Sequence, residues 1–174
     1  MDFWLQRALN DIDSATDGIT EEQLAWHPAK GKWSAAQILG HLSLAYHHTV
    51  AGLARVLRNG KPIAGKGTLK QWIATRVVAD LGYFPSGRPA PAMTLPTDVS
   101  AAQIVGEIHQ NLIAMDAILA EVEQKLGFAV KVADHPVLGP FRVEEWRKFH
   151  YRHTHHHMKQ VRAIREKQSL AASR

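Results

Sequence analysis

Val143-Glu144-Glu145-Trp146-Arg147-Lys148-Phe149-His150-Tyr151-Arg152-His153-Thr154-His155-His156-His157-Met158-Lys159-Gln160 is the stretch from which the rest of the chain is best read. Sampled at alternating steps of three and four, it yields Val143, Trp146, His150, His153, His157, Gln160 and, just beyond, Ile164. That period predicts a long helix with one inward stripe, and the stripe carries three histidines. A buried neutral imidazole still has a donor and an acceptor to satisfy, so three of them facing a core need partners or a ligand. His153 and His157 stand one helical turn apart on the same face, the spacing with which zinc-binding helices chelate one ion. Two ligands from one helix hold a divalent cation poorly, and a third from a facing helix would complete a set with open positions. Two bland readings compete, a solvated polar helix and an internal histidine network without metal. An appended tag is excluded by Thr154 inside the cluster and by Met158, Val161 and Ile164, which continue the helix beyond it.

Working outward, the same test finds the facing helices. Val105, Ile108, Leu112, Met115, Leu119, Val122 and Leu126 recur without a miss, predicting a helix over about 99–126. Ser34 is placed to cap a helix running to about Arg58, where Asn59-Gly60-Lys61-Pro62 stops it. This helix offers His41, His47 and His48; His41 and His48 share a face, and spacing alone does not choose between them. Leu5, Ala8 and Ile12 mark a first helix over about 3–15. Leu69, Trp72, Ile73, Val77 and Leu81 predict a short accessory helix over 68–82 closed by Gly82, and Pro85, Gly87, Pro89, Pro91 and Pro96 predict a crossing loop. Val130-Lys131-Val132 reads as a very short strand with no evident partner. His27, His109 and His135 read as single histidines without a site role. The expected architecture is all-α: one domain over 1–174, a bundle of four long helices with one short accessory helix.

Composition narrows the chemistry. With no cysteine among 174 residues, disulfides, Cys-zinc sites and a thiol nucleophile of the protein's own are excluded. No apolar run approaches the length a membrane span needs, so no membrane partner is expected. The first residues lack a basic segment followed by an apolar one, which makes the cytoplasm the expected address. The net charge of +5 is spread along the chain. Its densest group, Lys159, Arg162, Arg165, Lys167 and Arg174, closes the last helix, where it reads as a solvated, dipole-complementing face rather than a nucleic-acid patch.

Two motifs resemble the DinB/YfiT-like superfamily of metal-binding helical bundles. Trp33-Ser34-Ala35-Ala36-Gln37-Ile38-Leu39-Gly40-His41-Leu42 is similar to that family's opening of the second helix, and His153-Thr154-His155-His156-His157-Met158-Lys159-Gln160 to its His-x-x-His-His-x-x-Gln signature on the last. The resemblance implies His41, His153 and His157 as metal ligands, and so selects His41 over His48. His156 falls on a position held by a non-ligand histidine, and Gln160 on the ligand stripe as a group supporting a ligand. The Gly-Pro-Phe and Glu-Trp residues ahead of the last helix resemble a branch with no assigned reaction. Three neutral imidazoles leave the charge of a divalent ion intact, so it can polarise a carbonyl, acidify water or bind a thiolate. Some members of the superfamily transfer low-molecular-weight thiols or isomerise substrates with them. The leading expectation is therefore thiol S-transfer to a small electrophile, with zinc or nickel first and iron or copper also accepted. His48, His150, Gln160 and Tyr151 are candidates to reach the site. The rivals are a metal-dependent hydrolase and a non-catalytic, stress-associated bundle, the latter closed by His48 as fourth ligand. The resemblance also implies a homodimer.

Overall fold

The computed structural model describes residues 1–84, 90–96 and 99–172. Four long helices carry the architecture: α1 (Phe3–Thr16), α3 (Ala35–Asn59), α5 (Ile104–Leu126) and α6 (Val143–Ala172). α3 lies along α5 and α1 along α6, while α3 with α6 and α1 with α5 close the ring. One contiguous core runs through it, built on Leu5, Ile12, Leu39, Leu53, Ile108, Leu112, Met115 and Met158. Among the described residues no helix is long and apolar enough to cross a membrane.

The start of α3 is fixed locally. Ser34 accepts from the Gln37 backbone N–H while the Gln37 side chain accepts from Ser34 N–H, so two donors left open by the helix start are satisfied reciprocally. Gly60, at φ 64°, ends the helix in the left-handed region that an L side chain rarely adopts. Because this cap sets where His41 lies in the bundle, Ser34→Ala is expected to cost about 1 kcal/mol in urea unfolding.

Several expectations are corrected. A second short helix, α2 (Glu21–Ala25), capped by Thr20 and Gln23, lies between the first helix and Ser34, where no helix was expected. α5 begins at Ile104 rather than near Val99, residues 101–103 forming turns, and Ile104 rather than half-buried Val105 opens its buried seam. The accessory helix α4 (Leu69–Thr75) runs into a π-helical turn over Arg76–Asp80. Leu69, Trp72, Ile73 and Leu81 face solvent, and Thr75, Val78 and Ala79 are the buried residues. Of the crossing loop, Pro85, Gly87 and Pro89 lie outside the described residues, and Ala92–Thr94 form a 3-10 turn.

The strand expected over 130–132 does not form; a short strand begins just after it and has a partner. β1 (Ala133–His135) pairs antiparallel with β2 (Gly139–Phe141), and Val132 N–H donates to Phe141 O. Gly139 and Pro140 look like loop residues, but Pro140 sits in a two-stranded ribbon, where a missing N–H is tolerated. α6 also departs from a single stripe. It packs on both α1 and α3, burying Tyr151, Thr154, Met158 and Val161 beside the expected positions, while Gln160 is exposed. Arg162 pairs with Asp11, and Arg165 donates to Ala15 O and Asp17 O. These two cations therefore serve the C-terminal end of α1 rather than a solvated face.

Candidate metal centre

His41 projects from α3, and His153 and His157 from successive turns of α6. Their Nε2 atoms converge: His41 to His153 at 3.2 Å and His157 to His153 at 3.0 Å, with one ligand atom of each of the three within 4.8 Å of the others. Two nitrogens bound to one divalent ion at about 2.0–2.1 Å stand about 2.8–3.4 Å apart for angles between octahedral and tetrahedral. The spacing thus fits a shared cation.

The other ring nitrogens settle the tautomers. Thr94 O can only accept, so His41 Nδ1 carries the proton and donates to it at 2.9 Å, leaving a lone pair on Nε2. His157 Nδ1 donates to Gln160 Oε1 at 2.8 Å, with the same result. Two lone pairs therefore point at His153 Nε2, which has at most one hydrogen to share between them. His153 Nδ1 is buried with no partner. Burial lowers the pKa of His41 against the opposing effect of the Thr94 bond. It pushes His157 down to about 3, with His41 adding to the shift, and His153 well below the usual range, with both neighbours adding. All three imidazoles are neutral at pH 7, the form that binds metal.

Aromatic rings wall the cluster. Phe84 and Phe149 lie nearly parallel to His153, at 5.6 and 5.3 Å between centroids, and Trp33 packs 5.4 Å from His41. Phe149 in turn joins a block with Phe141, Trp146 and His135, which rests 4.5 Å from it. Burial holds His135 down to about 4, so the histidine read as a bystander is a half-buried member of this aromatic block.

The remaining candidates separate. His48 donates from Nε2 to Met93 O at 2.8 Å and is not one of the converging residues. His150 is fully buried, stacked on Trp146, and donates from Nε2 to Thr49 Oγ1, whose own hydrogen goes to Ala45 O. Tyr151 packs against Trp4 and under Arg7, on the α1 side of α6. Gln160 alone of the four touches a member of the triad. Its removal in Gln160→Ala is expected to weaken metal binding about 10- to 100-fold, read by competition with a chelating dye. Sequence reasoning missed Thr94, whose role is played by a backbone carbonyl that no residue type announces. It also gave no part to Phe84 or to Phe149, which occupies the position just ahead of the stripe.

The sequence matches the DinB superfamily over residues 5–161. The chain belongs to the DinB superfamily. No curated protein matches it. Among solved structures, this DinB-superfamily chain is similar to YfiT from Bacillus subtilis, with a TM-score of 0.57 and 16% identity over 95% of this chain and 86% of that one. YfiT is described as a probable metal-dependent hydrolase with an unusual four-helix bundle topology. At that identity the likeness establishes the shared bundle fold.

Proposed function

We propose that His41, His153 and His157 hold one divalent cation, zinc or nickel first and iron or copper also accepted, and that the protein uses it to activate a low-molecular-weight thiol for transfer to a small electrophile. The convergence of three Nε2 atoms, two with lone pairs fixed by Thr94 and Gln160, carries this reading. A divalent ion in such a site keeps its full charge and lowers the pKa of a thiol or water that binds it. The chain's own residues hold the imidazoles neutral, orient two of them and shield the cluster with Trp33, Phe84 and Phe149. Among the described residues no carboxylate joins the triad to serve as a base. That favours a thiol, ordinarily near pKa 8.5, over water, which starts near 15.7 and has further to fall. His48, the residue that would close a structural site, is held by Met93 O instead, which supports an open position for substrate. A homodimer belongs to the same reading, supported by exposed Phe3, Leu69 and Trp72.

Hydrolysis is the second reading, favoured by the likeness to YfiT. Elemental analysis of protein purified without a tag tests the site. Near one equivalent of metal is expected in the wild type and under about a tenth in His41→Ala, His153→Ala and His157→Ala, with His48→Ala unaffected. No metal under any loading condition would overturn the site. Turnover of activated electrophiles only when a thiol is added supports transfer, whereas equal turnover without thiol would replace it with hydrolysis.

A further inference from the structure

Beside the triad lies a groove of about 380 Å³ between the segment ahead of α3 and the second half of α6. It shares two residues with the site. Trp33 is the ring against His41, and Gln160 is the side chain bonded to His157. From there Ile38 and Ile164 give it apolar walls, and Lys32 and Lys167 line it as well. No lining residue is acidic, and neither lysine has an ion-pair partner among the described residues. His157 and Lys167 are ten residues apart on one helix, about 15 Å along its axis. The volume suits a small molecule rather than a polymer.

We infer that this groove binds the carboxylate end of a small amphipathic acid whose other end reaches the His41–His153–His157 cluster, with Lys32 and Lys167 as the recognising cations and Trp33, Ile38 and Ile164 flanking its apolar middle. The inference rests on the metal reading above and narrows it to a substrate or thiol bearing an anionic group about 15 Å from its reactive end. Exposed charges each contribute modestly to such a contact and are screened by salt. The preference they confer is therefore a matter of several-fold.

The test uses full-length protein loaded with cobalt(II), in which thiol binding to the metal is read by its charge-transfer absorption. The probes are a long ω-mercaptocarboxylate that spans about 15 Å, a short one, and the matching ω-mercaptoalcohols. The long acid is expected to bind about five- to tenfold more tightly than the long alcohol at low salt, and the short pair equally. Lys32→Ala with Lys167→Ala is expected to erase the difference while leaving alcohol affinity unchanged. Equal binding of long acid and long alcohol by the wild type, or a preference that survives in the double variant, would overturn the inference with the metal site intact. Failure of cobalt to bind would instead strike the metal reading. The groove is then judged alone by calorimetric titration with a thiol-free acid and alcohol of the same length, where a preference lost in the double variant upholds it and equal binding sinks it.

Discussion

Zinc added to the metal-free protein is expected to raise its melting temperature by about 10 °C, and His153→Leu to abolish that rise without lowering the metal-free melting temperature. The first half follows from linkage. A ligand at a thousand times its dissociation constant stabilises the folded state by about 4 kcal/mol, and in a chain of this size each kcal/mol moves the midpoint by about 2–4 °C. The second half follows from the state of His153 without metal. Its Nδ1 is buried and unpartnered, and its Nε2 faces two lone pairs. A buried polar atom left unpaired costs about 1–3 kcal/mol. Leucine would keep the apolar contact with Phe84 and Phe149 and remove that cost. Such a result would place the triad among sites retained for function at the expense of stability. A zinc-induced rise in His153→Leu equal to that of the wild type would show that the ion binds elsewhere. Scanning calorimetry with and without zinc reads both halves.

The bundle was legible because its helices announce themselves by period. The α5 seam from Ile108 to Val122 needs only the alternation of three and four, and Ser34 with Gln37 declares the start of α3. The site was half legible. The i, i+4 pair on α6 is visible in the sequence, but the choice between His41 and His48 depends on how far α3 slides along α6. Packing fixes that offset, and no local pattern encodes it. The structure puts His41 on the triad and sends His48 to Met93 O. What could not be read was set by local backbone geometry and by a contact distant in sequence. The accessory helix runs into a π turn at Arg76–Asp80, the pairing of β1 depends on Gly139 adopting φ 78°, and Thr94 reaches His41 across 53 residues. In each case the residue types allow the outcome without requiring it.

His135 shows how such a contact changes a residue's meaning, and it gives the second large expected effect. Lowering the pH from about 6.5 to about 4.5 is expected to cost the metal-free protein at least about 5 kcal/mol, enough to unfold a domain of ordinary stability. Burial holds His135 to about 4, and burial with a smaller contribution from His135 holds His150 to about 3. Both titrate near 6.5 once the chain unfolds. Above that pH neither state takes up a proton at these positions, and stability does not depend on them. Below it the unfolded chain gains two protons that the folded chain refuses until about pH 4 and about pH 3, so stability falls as pH falls across that window. The three histidines of the triad are lowered by burial too and, in the metal-free protein, steepen the fall. Urea titrations at a series of pH values measure the slope. His135→Asn isolates one proton of it, since an Asn side-chain oxygen can take over from Nδ1 in accepting the N–H groups of Val137 and Leu138 and does not titrate. The variant is expected to start less stable, having lost ring contacts with Phe141 and Phe149, but to lose about 1.4 kcal/mol less per pH unit on acidification. An unchanged slope would mean that the folded protein protonates His135 freely, and that water reaches the aromatic block on which Phe149, and through it His153, is supported.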